Sequence, residues 1–91
     1  MIFKEKYEDY TEAEFLSVLN ELFYNDLGLQ GDAYGAYSDS LMDHFERITE
    51  HPDRSDVICY PKPGQEDSPA GVLKTIKEWR ALNNKPGFKA E

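Results

Sequence analysis

The sequence predicts an all-α fold, a small helical bundle, on three observations. Apolar residues recur at helical spacing in three separate stretches, each stretch carries start or stop signals, and glycine- and proline-bearing loops divide them. With 91 residues, 40% of them apolar and 31% charged, the chain suits one globular domain spanning 1–91, with a small margin of stability.

The first helix opens at a capping box, Thr11-Glu12-Ala13-Glu14. Thr11 can accept from the Glu14 backbone while the Glu14 side chain reaches back to Thr11 N–H. Tyr10 and Phe15 have the spacing of a hydrophobic staple. Phe15, Leu16, Val18, Leu19, Leu22 and Phe23 form a broad apolar stripe, and Glu12 and Glu14 suit the helix dipole. The helix is expected to end near Asn25, because Gly28 and Gly31 follow and Gly28 to Asp32 reads as a loop.

The second stripe is Tyr34, Tyr37, Leu41, Phe45 and Ile48, one face of a helix that starts near Asp32 or as late as Ser38 and stops before Pro52. Gly35 weighs against the earlier start. Ser55 to Pro61 is ambiguous: a short β-branched run ending at Pro reads as a strand, or as one or two helical turns capped by Ser55. Lys62 to Asp67 is a polar loop. Ser68 at N-cap and Pro69 at N1 open the last helix, where Val72, Ile76 and Trp79 share a face with Leu73 and Leu82 alongside. Asn83-Asn84 and Pro86-Gly87 end it, and Phe88 is placed to tuck back onto the body. Three clear helices and a short fourth element make an all-α bundle.

The net charge of −8 is unevenly distributed. From Glu8 to Asp56 thirteen acids face only Arg47 and Arg54, a net of −11, whereas the chain from Val57 onward carries +2. Such a half repels nucleic acid and attracts basic partners by long-range steering, or it serves as a solvated face that keeps the protein soluble. No apolar run is long enough to span a membrane and no signal peptide is recognised, so a cytoplasmic, soluble protein is expected. Cys59 is the single cysteine, which excludes an internal disulfide, and it reads as a small half-buried apolar residue.

No catalytic or cofactor motif is present: the glycines lack phosphate-loop spacing, and His44 and His51 lack zinc-site spacing. His44 reads as a partly buried helix residue and His51 as a C-terminal one favoured by the dipole. Lys74, Lys77 and Arg80 lie near one face of the last helix, a weak footprint for nucleic acid and a better one for offsetting acids elsewhere on the bundle. No cofactor, metal or enzymatic activity is expected. Tyr60, Ile58 and Cys59 form an apolar patch beside Ser55-Asp56 and Pro61, suited to an interface hot spot facing a basic partner; alternatively Val57, Ile58 and Tyr60 plug the bundle.

Blocks along most of the chain carry a resemblance. They are Asp9 to Leu16, His44-Phe45-Glu46, Thr49 to Pro52, Ser55 to Pro61, Glu66 to Val72, Lys77 to Ala81 and Pro86 to Lys89. In this order they resemble the immunity proteins of the DNase colicins and S-type pyocins; residues 17 to 43 are mainly outside the match. The resemblance implies a four-helix bundle whose third helix is very short. It implies binding beside the active site of an HNH-type endonuclease domain, in a 1:1 complex, so that acidic side chains block DNA by bulk and charge. It further implies no direct contact with nucleic acid or membrane, and departure from the bacterial cell in complex with the toxin. The third-helix region supplies binding shared across the family, here Ser55, Asp56, Cys59, Tyr60 and Pro61. The second helix supplies selectivity, here Gly35, Ser38, Asp39, Met42, Asp43 and Glu46. Two departures stand out: Cys59 replaces the first of two adjacent tyrosines, and the segment Asp26 to Tyr37 is longer, with Tyr34 and Tyr37 as core or as added contact surface. The alternatives are the same bundle acting on an RNase or tRNase toxin, and an enzyme or metal protein built on His44, His51 and nearby acids.

Overall fold

Among the described residues four helices follow in chain order, as expected: α1 (Glu12–Tyr24), α2 (Gly31–Thr49), α3 (Asp56–Cys59) and α4 (Pro69–Leu82), preceded by a 3-10 turn at Tyr7–Asp9. The structure, a computed structural model, describes residues 4–24, 28 and 30–90, and no strand occurs among them. The expected end of the first helix at Asn25, and the part of the Asp26–Tyr37 segment at 26, 27 and 29, lie outside the described residues. α1 packs against α2 and α4, and α3 sits on α4.

The capping box forms at α1: Glu14 N–H donates to Thr11 Oγ1 at 3.1 Å, and Thr11 N–H donates to Glu14 Oε1 at 2.9 Å. Lys4 Nζ adds hydrogen bonds of 2.8 Å to both Glu14 oxygens. These bonds, led by the one from Lys4, hold the Glu14 carboxyl down at about 2. Phe15, Val18 and Leu19 are buried, and Leu16, Leu22 and Phe23 pack half-buried around them. α2 starts at Gly31, the earlier of the two expected starts, and contributes Leu41, Phe45 and Ile48 to the core. Its stripe fades toward the N-terminus: Tyr37 is half-buried, its hydroxyl donating to Glu21 at 3.5 Å, and Tyr34 is exposed. α4 opens as expected, with Pro69 in the first turn and Gly71 N–H donating to Ser68 Oγ at 3.1 Å.

The residues 55–60 form a single helical turn, not a strand: Ser55 C=O accepts from Ile58 and Cys59, and Asp56 C=O from Tyr60. Pro61, lacking an N–H, ends it. Ser55 occupies the N-cap position, but its side chain makes no capping bond and its φ of −66° is already helical. Val57 enters the core, whereas Tyr60 does not plug the bundle.

Several side chains sit elsewhere than their pattern implies. Cys59 is exposed, because α3 is too short to turn a second face inward. Leu82 is 83% exposed, since the last turn of α4 carries it away from the packed face. His44 is fully rather than partly buried, with Nε2 2.6 Å from Tyr10 Oη. His51 lies beyond the end of α2 and is buried against the Trp79 ring at 4.9 Å, so burial lowers its pKa where a dipole contact would raise it.

Arg80 offsets acids as expected, pairing with Glu50 at 3.3 Å and Glu8 at 4.0 Å, yet it does so from inside the fold, 2% exposed. Nη1 donates to Thr49 C=O at 3.1 Å and Ile48 C=O at 3.4 Å, and Nε and Nη2 donate to Pro86 C=O at 3.1 and 3.0 Å. It thereby satisfies carbonyls at the open end of α2, where Glu50 turns left-handed (φ 59°). Its guanidinium also lies 4.0 Å over the Tyr7 ring. Tyr7 stacks on Phe88 at 4.3 Å, and Lys89 N–H donates to Tyr10 C=O at 2.8 Å, so the C-terminal segment does tuck back.

Gly71 answers a close approach. A Cβ there would collide with Glu66 O, so the loop before α4 passes directly over the helix.

Candidate functional site

Helical period separates the two faces of α2. Leu41, Phe45 and Ile48 point to the core, which leaves Asp39, Asp43 and Glu46, at i, i+4 and i+7, on the opposite face. Asp39 and Asp43 are exposed and Glu46 is half-buried. Ser38 and Met42 are half-buried on the flank, Met42 packing against the core. Gly35 is half-buried with open space where a Cβ would stand, so this flank presents bare backbone.

α3 adjoins that face. Ser55 N–H donates to Glu46 Oε2 at 3.2 Å, a direct link between the two sets of candidate residues. Asp56, Cys59 and Tyr60 are exposed, Tyr60 at 75%, and Pro61 is half-buried. A large aromatic left this open beside a carboxylate has the make-up of a binding anchor.

A four-residue helix has no stability of its own, so its orientation must come from neighbours. Val57 anchors it in the core. The Gln65 side-chain amide donates to Val57 C=O at 2.8 Å, and Gln65 Oε1 accepts from Thr75 Oγ1 of α4 at 3.0 Å. Lys62 Nζ meets Asp53 Oδ2 at 2.9 Å, and that hydrogen bond, with the Lys62 and His51 charges, lowers the Asp53 pKa. Asp53 N–H donates to His51 Nδ1 at 3.0 Å. Sequence reasoning missed Gln65, Thr75, Asp53 and Lys62, which lie in loops or on a helix flank where no periodic pattern marks them.

Between α2 and α3 the turn forms a groove of about 470 Å³ whose lining includes Asp43, Glu46, Arg47, Pro52 and Arg54. Among the described residues no group of three or more His, Cys, Asp or Glu is placed to hold a metal ion. No helix among the described residues is long and apolar enough to cross a membrane. Lys77 pairs with Glu12 and Lys74 with Glu78, which offsets acids rather than building a cationic face. The surface is thus acidic, aromatic at one point, and suited to a basic partner.

Comparison with known proteins bears on that partner. Residues 7–82 match the model of a family described as colicin immunity protein / pyocin immunity protein. The chain is 41% identical over 87 residues to the pyocin-S1 immunity protein of Pseudomonas aeruginosa, covering 96% of this chain and 98% of that one. The same figures hold for the pyocin-S2 immunity protein of that species. A chain in the crystal structure of the pyocin AP41 DNase–immunity complex superposes with a TM-score of 0.91 at 49% identity, covering 97% of this chain and 100% of that chain. A chain in the structure of the mutant nuclease domain of pyocin S8 with its cognate immunity protein gives a TM-score of 0.81 at 46% identity, covering 96% and 100%.

Proposed function

The chain belongs to the colicin and pyocin immunity protein family, and from that premise we propose that it confers bacteriocin immunity by binding, one to one, the HNH-type endonuclease domain of a cognate pyocin-like toxin. The bound inhibitor sits beside the catalytic centre. Its acidic surface keeps DNA out by bulk and charge, with no chemistry of its own. It acts in the bacterial cytoplasm and leaves the cell with the toxin.

The observation that carries this reading is the junction of α2 and α3: Asp39, Asp43 and Glu46 along one helix face, continued by Asp56 and an open Tyr60. Long-range attraction from a −11 stretch speeds encounter with a basic nuclease, and the aromatic anchor slows release. Ser55, Asp56, Cys59, Tyr60 and Pro61 form the part of the contact shared across toxins. Gly35, Ser38, Asp39, Met42, Asp43 and Glu46 discriminate among them. Cys59, exposed where the family pattern has an aromatic, shifts weight onto Tyr60 and Asp56.

The test is titration of this protein into DNase assays of pyocin nuclease domains, including those of AP41 and S8. Loss of cleavage at one equivalent, for one domain ahead of its relatives, supports the reading. A stoichiometric complex that still cuts DNA would refute it, and inhibition confined to RNase-type toxin domains would replace DNase with RNase as the target.

A further inference from the structure

Arg54 is in the left-handed region, with φ 52°. For a residue with a Cβ that conformation is unfavourable, and glycine would adopt it freely. Among the described residues two other non-glycine residues share it, and each has an evident reason. Asn84 is of a type that tolerates it, and Glu50 terminates α2 while accepting from Arg80 Nη1 at 3.3 Å. At Arg54 the turn itself holds the backbone, its N–H donating to His51 C=O at 3.0 Å and its C=O accepting from Val57 N–H at 3.3 Å, but the side chain is exposed and makes no hydrogen bond or ion pair among the described residues.

The charge is as anomalous as the backbone. Only Arg47 and Arg54 are basic among the residues from Glu8 to Asp56, and Arg47 approaches His44 at 3.5 Å. Arg54 instead lines the groove with Asp43 and Glu46 and immediately precedes Ser55-Asp56. It therefore stands where the α2 face meets α3. A cation there weakens attraction to a basic nuclease, and it neutralises no nearby carboxylate by direct contact. Strain and an unspent charge at a binding junction point to recognition.

We infer that Arg54 is a specificity-determining residue: its guanidinium receives a carboxylate of the cognate nuclease domain and disfavours domains that carry a basic or apolar group at that place. This rests on the immunity reading above. The expected sign is what separates it from a merely electrostatic role. If Arg54 had no carboxylate partner, its removal would strengthen binding to every basic domain.

The experiment measures Kd by stopped-flow and competition for wild type, Arg54→Gly and Arg54→Lys. The probes are the domain best inhibited by wild type and the AP41 and S8 domains as comparators. Arg54→Gly is expected to weaken binding to the best-inhibited domain by on the order of tenfold or more, while leaving the comparators unchanged or tighter. Arg54→Lys, which keeps the charge but not the planar fork, is expected to fall between. The thermal midpoint of free Arg54→Gly is expected to equal or exceed wild type, which excludes misfolding as the cause. Uniform tightening across all domains, or uniform loss, overturns the inference while leaving the immunity reading intact. Failure of wild type to inhibit any nuclease domain overturns both.

Discussion

Replacing Arg80 with Met keeps the length of the aliphatic stem and removes the guanidinium. The stem's packing is largely retained, so the cost falls on polar groups. Pro86 C=O loses two donors at 3.0 and 3.1 Å, and Thr49 and Ile48 C=O lose one each at 3.1 and 3.4 Å. A hydrogen bond from a charged donor contributes about 1.5–3 kcal/mol, and a buried acceptor left unpaired costs about 1–3 kcal/mol. The contacts to Glu50 and Glu8, at 3.3 and 4.0 Å, involve more exposed carboxylates and add little. Three carbonyls, one of them doubly served and all near the surface end of α2, make a net loss of about 3–5 kcal/mol reasonable. A domain of this size has about 5–14 kcal/mol in total, so the variant should be folded but marginal. Urea denaturation followed by circular dichroism gives the difference directly, provided the slope is unchanged. A loss below about 1 kcal/mol would mean that water replaces the guanidinium at these carbonyls, and the view of Arg80 as the clamp between α4, the end of α2 and the C-terminal segment would fail.

Gly71→Ala drives a Cβ into Glu66 O, so the backbone must move; the gain in helix propensity, under about 1 kcal/mol, is outweighed by about 1–3 kcal/mol of overpacking, and the thermal midpoint should fall by several degrees. Burial lowers the pKa of His44, with Arg47 adding to it, and burial likewise lowers that of His51 against the opposing charge of Asp53. The unfolded chain therefore takes up protons first, so stability should be level above about pH 7 and decline as pH falls below about 6.5; a urea midpoint that rises between pH 7.5 and 5.5 would contradict this. Tyr60→Ala and Asp56→Ala should each weaken binding to an inhibited nuclease domain by about 2–5 kcal/mol without lowering the thermal midpoint, both residues being exposed. Binding like wild type by both would remove α3 from the interface.

Local signals carried most of the helix boundaries. The capping box at Thr11, the Ser68-Pro69 opening and the apolar stripes are short-range features whose physics is complete within a few residues, and the structure forms each of them. Some misreadings arise where a helix ends, as at Cys59 and Leu82, and the others involve contacts outside the local pattern. Arg80 offsets acids as its pattern implies, but its burial shows only once the carbonyls of Ile48, Thr49 and Pro86 are brought to it. Gly71 stands out in no local pattern, yet the Glu66 carbonyl crosses directly over it. Ser55 is a plausible cap, but the carboxylate of Glu46 takes its backbone N–H, and the hydroxyl has no capping role. In the candidate site the residue types were legible and their support was not: neither Gln65 nor Thr75 belongs to any pattern, yet they tie α3 to α4.

That support has a consequence for how binding and stability separate. α1, α2 and α4 supply most of the core, while α3 buries only Val57 in it, with Ile58 half-buried against it, and depends on Glu46, Gln65 and Lys62 for its setting. Its contribution to global stability is therefore small and its contribution to the exposed surface large. Exposed residues of α3 can change with little effect on folding. The three tethers are more constrained. Each is a polar contact whose loss leaves the bundle standing but frees the helix that carries Asp56 and Tyr60. The ordering entropy that the fold now covers would then fall due on binding, and release from the partner would quicken before the folded state weakened.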